Sequence, residues 1–238
     1  MNEPAHDIAR RWEMLREQVS ETAFKCGRNP EEITIVAVTK THTVDVVRNG
    51  IDAGIRVFGE NYAQELNEKY EALKNYSGDI QWHFIGHLQT NKVKLIAPII
   101  SFIHSVDSLH TAEAISDEAK KNNRTIDILL QVNTSGEDTK SGCEPGDIFK
   151  FAESALKIPN INIHGLMTIG SFSDDKVQIR SEFRLLGSLK EKLNQKFRTN
   201  QFKELSMGMT GDYDIAIEEG STYIRVGTAI FGMRNYNR

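Results

Sequence analysis

Ile33-Thr-Ile-Val-Ala-Val-Thr-Lys40 decides how the chain is read. It is a run of β-branched and apolar residues that ends on one lysine. The run is too short for a free-standing helix and too continuously apolar for a half-exposed strand. It therefore predicts a strand buried on both faces, the kind that parallel sheets contain. Burying an unpaired ammonium is costly, so Lys40 has two readings: it marks where the strand meets water, or it lines a cavity with an anionic partner.

Outward from this run the chain alternates. Further strands are predicted over 56–61, 81–86, 102–106, 126–133, 161–167, 204–207 and 223–226. Helices are predicted between them over 44–54, 64–73, 91–97, 111–122, 147–157, 177–197 and 213–219. A leading helix, capped by Asp7 and stopped at Cys26-Gly27, carries an apolar stripe of Ile8, Trp12, Leu15, Val19 and Phe24. Repeated strand–helix steps without hairpin signals argue for a parallel sheet with right-handed crossovers. A count of eight favours closure, so the fold class is α/β, a (β/α)8 TIM barrel with an extra N-terminal helix. No linker or low-complexity segment interrupts it, and residues 1–238 read as a single domain. No GxGxxG follows the first strand, which removes the main argument for a dinucleotide.

Composition narrows the function classes. Charged residues are 26% and apolar residues 39%, ordinary for a globular protein with a sizeable core. A net charge of −4 gives no reason to expect nucleic acid or an anionic membrane as partner. The polar start Met1-Asn-Glu-Pro-Ala-His-Asp7 lacks a secretory apolar region, and the run Leu95 to Ile103 is interrupted and too short to span a bilayer. Cys26 and Cys143 have no metal-ligand spacing and read as reduced thiols, so a cytoplasmic location is expected.

In a barrel, function belongs at the C-terminal strand ends. Those ends carry Lys40, Asn61, His87 with Gln89 and Asn91, Asn133, Met167 with Thr168, Thr210, and Arg225 with Gly227 and Thr228. Ser206-Met-Gly-Met-Thr-Gly-Asp212 and Arg225-Val-Gly-Thr-Ala229 follow the pattern of a phosphate site: glycines admit an anion, and hydroxyls and N–H groups donate to it. The loops after strands seven and eight are the recurrent phosphate position of this fold. A strand-end lysine plus a phosphate pocket suggests a Schiff base with pyridoxal 5′-phosphate (PLP), the lysine taking its aldehyde. Arg225 is a candidate partner for the pyridine nitrogen, which a guanidinium would leave unprotonated.

Several stretches together identify a family. They are Val36-Ala-Val-Thr-Lys-Thr41, Phe58-Gly-Glu-Asn-Tyr62, Trp82-His-Phe-Ile-Gly-His-Leu-Gln-Thr-Asn-Lys92, Ser105-Val-Asp107, Gln131-Val-Asn133, Lys140-Ser-Gly142, Gly165-Leu-Met167, Leu205-Ser-Met-Gly-Met-Thr210 and Gly220-Ser-Thr-Tyr-Ile-Arg-Val-Gly-Thr-Ala-Ile-Phe-Gly232. Through them nearly the whole chain resembles the pyridoxal phosphate homeostasis proteins, single-domain relatives of the alanine racemase barrel. The resemblance implies PLP on Lys40, with cofactor contacts from Asn61, Thr210, Arg225, Gly227 and Thr228. It implies a protein of intracellular PLP and vitamin B6 homeostasis, with no catalytic residue and no metal. Threonine stands at 39 and 210 where the family usually has serine; both keep the hydroxyl. Expected partners are PLP and apo PLP enzymes that would receive it, with no nucleic acid and no membrane, and a monomer is expected.

Other residues are read structurally. His83 and His87 straddle Gly86 rather than sharing a helix face, against a metal site. Glu60 is the best general-base candidate in the mouth, and pairing with a nearby Lys or Arg is its structural alternative. Trp82 and Phe84 are expected in the barrel layers, and Cys143 at the surface. The alternative function is a PLP-dependent amino-acid racemase or decarboxylase. Racemisation in alanine racemase uses a tyrosine from another domain, for which a chain ending at Arg238 is expected to leave no room. A third reading is a lysine aldolase that uses no cofactor.

Overall fold

The computed structural model describes residues 5–76, 79–137 and 139–233. Eight strands form a closed parallel barrel in chain order: β1 Thr34–Val38, β2 Val57–Glu60, β3 Gln81–Phe84, β4 Phe102–Val106, β5 Ile126–Gln131, β6 Ile161–Met167, β7 Glu204–Ser206 and β8 Tyr223–Val226. The helices are α1 Ala5–Lys25, α2 Val44–Asp52, α3 Ala63–Leu73, α4 Val93–Ile96, α5 Leu109–Lys121, α6 Ile148–Ala155, α7 Lys176–Phe197, α8 Tyr213–Glu218 and α9 Thr228–Phe231. This is the (β/α)8 barrel with its N-terminal helix. Closure runs through β1 and β8, which pair from Thr34↔Tyr223 to Ala37↔Val226.

The ends of the elements differ from the sequence reading in physical detail. Helix α1 begins at Ala5, so Asp7 sits in its first turn, where its charge meets the helix dipole, and is not the cap. Its buried face is Ile8, Leu15, Val19 and Ala23, while Phe24 is exposed, one position round the helix. Ser108 caps α5, its side chain accepting from the Thr111 N–H, so that helix starts earlier than predicted. Strand β1 stops at Val38, and Lys40 stands two residues beyond it.

The core has two parts. The larger lies between sheet and helices and holds the outward strand residues Ala37, Phe58, Trp82, Phe84, Leu166 and Ile224. Trp82 packs against Phe58 with ring centroids 5.7 Å apart, so Trp82 and Phe84 belong to this outer layer and not to the barrel interior. Inside the barrel one small apolar cluster holds Phe102, Leu129 and Met167, with Tyr223 against them, and Val36 and Ile85 are buried near Gly59. Cys143 is half-buried and bridges to Val132 rather than lying at the surface, and burial pushes its thiol up to about 12.

Polar groups in the interior form a chain. Arg225 Nη1 donates to Ser206 Oγ at 2.7 Å, Ser206 Oγ meets His104 Nδ1 at 2.8 Å, and His104 Nε2 meets His83 Nδ1 at 3.0 Å. Arginine only donates, and among the described residues in contact with Ser206 Oγ only His104 Nδ1 can accept its hydrogen bond. The chain therefore runs one way, from Arg225 to His83, with His104 protonated on Nε2. Burial pushes His83 down to about 3 and His104 well below its ordinary value, with the charge of Arg225 adding to the effect on His104.

A pH dependence follows. His83 stays neutral in the folded barrel and takes up a proton on unfolding below about pH 6.5. Its stabilising share is complete above that value and is lost as the pH falls towards 3. Between pH 7 and pH 5 the loss is about 2 kcal/mol. In urea titrations at the two pH values, His83→Gln should flatten the fall in unfolding free energy by that amount.

Candidate functional site

Closure sets β7, β8, β1 and β2 side by side. Residues far apart in the chain thereby meet on one arc at the C-terminal strand ends. Thr210 follows β7, Arg225 lies within β8 with Gly227 and Thr228 just after it, Lys40 follows β1 and Asn61 follows β2. Every residue that the sequence reading assigned to a cofactor falls on this arc.

Period-2 alternation decides which groups face inward. Arg225 is 4% exposed, and its Nη2 donates to the Thr168 carbonyl at 2.8 Å while Nη1 holds Ser206. Among the described residues no carboxylate forms an ion pair with it. Burial lowers its pKa to about 10, and the more distant charge of Asp212 works the other way. The Arg225 N–H donates to the Gly208 carbonyl at 3.0 Å, joining the loop after β7 to β8. Gly208 has φ +91°, and a Cβ there would lie 2.5 Å from the Ala216 Cβ, so only glycine allows this turn. The Met209 N–H donates to Asp212 Oδ1 at 2.5 Å, and burial raises the Asp212 carboxyl. The loop so held presents Thr210 at the surface, where Thr228 Oγ1 meets Thr210 Oγ1 at 3.2 Å. Ser206, read from the sequence as part of the phosphate loop, has its hydroxyl in the interior chain instead.

On the other side of the arc, Asn61 Oδ1 is buried and has no hydrogen-bond partner among the described residues. The chain after β3 packs closely against this residue: a Cβ on Gly86 would meet the Asn61 carbonyl at 2.4 Å. Lys40 is half-buried; before it stands Thr39, which is fully buried, and after it Thr41, whose φ is +66°. Glu60 is not in the mouth. It faces outward, fully buried, and its Oε1 accepts from Lys69 Nζ and from Thr39 Oγ1, each at 2.6 Å. The structural reading of this carboxylate is the one that holds. Burial raises its pKa, with the Lys69 charge opposing.

His87 is separate from the His83 chain. Its Nδ1 lies 3.4 Å from Asp107 Oδ2 on the exposed side of the loop. Among the described residues no group of His, Cys, Asp and Glu is arranged to hold a metal ion. The sequence reading did not find the roles of Thr168, His104 and Lys69. Lys69 lies four residues after Glu65 on a helix, a pair that usually means only a solvated face. The arc offers a primary amine, two adjacent hydroxyls, a buried guanidinium and an unpartnered amide oxygen. That set suits a small ligand with an oxyanion at one end, a carbonyl carbon at the other and polar ring atoms between.

Residues 13–235 match the family model "Alanine racemase, N-terminal domain". The pyridoxal phosphate homeostasis protein of Aquifex aeolicus is 40% identical over 220 residues, covering 92% of this chain and 95% of that one. PipY of Synechococcus elongatus, solved with PLP bound, superposes with a TM-score of 0.84 at 32% identity, covering 94% of this chain and 100% of that one. The alanine racemase of Streptomyces coelicolor, at 13% identity and a TM-score of 0.73, shares the fold over 97% of this chain and 59% of its own. The chain belongs to the pyridoxal phosphate homeostasis protein family, built on the alanine racemase N-terminal domain.

Proposed function

We propose that this protein binds pyridoxal 5′-phosphate, holds it covalently on Lys40 as a Schiff base, and serves intracellular PLP homeostasis without turning over an amino acid. What carries the reading is the arc itself: amine, paired hydroxyls, guanidinium and orphaned amide oxygen converge from four neighbouring strands. The relatives' names and the PLP in PipY support it. PLP supplies, when bound, an aldehyde for an amine and an electron-withdrawing ring with a phosphate.

Lys40 supplies the amine that retains the ligand. Thr210 and Thr228, with the backbone at Gly227, bind the phosphate. Asn61 Oδ1 accepts a hydrogen bond from a ring hydroxyl, and that is the partner it lacks among the described residues. Arg225 donates to the ring nitrogen and cannot give it a proton, which keeps the ring a weak electron sink. Glu60, the strongest acid–base candidate of the mouth by sequence, is engaged by Lys69 behind the barrel wall. Positioned acid–base groups are what amino-acid turnover needs, so holding and release are the better reading. The proposal extends to the whole chain as one PLP-binding domain, a monomer in the cytoplasm, with apo PLP enzymes as recipients.

Lys40→Ala should lose the long-wavelength absorption of the PLP-loaded protein; an undiminished band would assign the cofactor to another lysine. Thr210→Ala should weaken PLP retention by on the order of 1.5–3 kcal/mol, the worth of a hydrogen bond to a charged group, in equilibrium dialysis. Loaded protein incubated in deuterated water with both enantiomers of the proteinogenic amino acids should show no multiple-turnover exchange of the α-proton by mass spectrometry.

A further inference from the structure

Lys69, on α3, is 2% exposed and uses all three of its ammonium protons. Nζ donates to the Thr39 backbone carbonyl at 2.6 Å, to Glu60 Oε1 at 2.6 Å and to Glu65 Oε1 at 2.7 Å. Glu65 Oε1 also accepts the backbone N–H of Thr41 at 2.6 Å. The Thr39 carbonyl belongs to the peptide unit before Lys40, and the Thr41 N–H to the unit after it. One buried ammonium and one carboxylate therefore fix both peptide planes that flank the Lys40 Cα.

We propose that Lys69 and Glu65 are positioning residues for Lys40: they lock its backbone so that the side chain enters the mouth from one fixed root. The inference rests on the reading of Lys40 as the ligand-carrying amine. Two observations set the cluster apart from an ordinary ion pair. A buried pair contributes little net stability, because desolvation offsets attraction, and this one leaves Glu60 Oε2 without a hydrogen-bond partner among the described residues. What it fixes is also specific. A segment just past a strand end is ordinarily the mobile part of a barrel, and Thr41 is in the left-handed region, which a threonine adopts only under constraint. Glu65 supplies that constraint from α3.

Glu65 is only partly buried, so its replacement can leave the core intact. The glutamine side chain of E65Q keeps a carbonyl oxygen for the Thr41 N–H and for Lys69, whereas the alanine of E65A has none. Comparing the two variants thus separates the hydrogen bonds from the charge. In hydrogen exchange on the unloaded protein, E65A should lose protection at the Thr41 amide and E65Q should keep it. In stopped-flow absorption with added PLP, E65A should capture the ligand roughly tenfold more slowly than wild type, as expected when a reacting group loses its fixed root, and E65Q should match wild type. Three results would overturn the proposal: wild-type capture by E65A, unchanged Thr41 protection in E65A, or equal slowing in both variants. Capture that survives Lys40→Ala would instead remove the underlying reading of Lys40, and the proposal with it.

Discussion

The pairing of β1 with β8 is the constraint on which the rest depends. Four register pairs, Thr34↔Tyr223 through Ala37↔Val226, close the sheet and set Val36 opposite Arg225. A strand at residue 34 and one at residue 223 become neighbours, and the loops at their ends become one surface. Without this closure Lys40 and the Arg225–Thr228 segment would lie on opposite edges of an open sheet. With it, β2 and β7 bring Asn61 and Thr210 to either flank. The contact is also non-local, so the candidate site is complete only once the whole barrel has formed.

A polar interior accompanies this arrangement. The apolar cluster inside the barrel is small, and the space beside it holds Arg225, Ser206, His104 and His83 in a one-way hydrogen-bond chain. A buried guanidinium that no carboxylate of the described residues contacts is costly, and neutral acceptors offset only part of that cost. The Thr168 carbonyl and the Ser206 hydroxyl still hold its donors in fixed directions. Stability was not the only constraint on these positions. The guanidinium is thereby held rigidly inside the barrel, and among the described residues no carboxylate is bound to it.

Much of the fold was legible because strands buried on both faces read as short apolar runs, and eight of them recur between helical segments. Closure itself came from counting. The errors sit where local chemistry has more than one answer. Trp82 and His83 occupy adjacent positions of one strand, and their types do not reveal that the tryptophan faces the helices while the histidine faces the interior. Ser206 opens the stretch that reads as a phosphate loop, yet alternation along β7 turns its hydroxyl inward to Arg225. Phe24 fitted a helical stripe to within one position and is exposed. That the arc residues lie together was legible because strand-end position alone locates them in a barrel. The Lys69 cluster was not, because it joins residues of a strand end, a loop and the next helix through a backbone carbonyl and an N–H that no side-chain pattern encodes.

The central claim is that one amine, the one β1 delivers beside β8, carries the ligand. Peptide mapping of wild-type protein after PLP loading and borohydride reduction tests this most directly, since reduction fixes the ligand to whichever nitrogen holds it. The account predicts the pyridoxyl mass on the peptide that contains Lys40, at close to one equivalent per chain. Its absence there, with a stoichiometric adduct on any other lysine, would contradict the account.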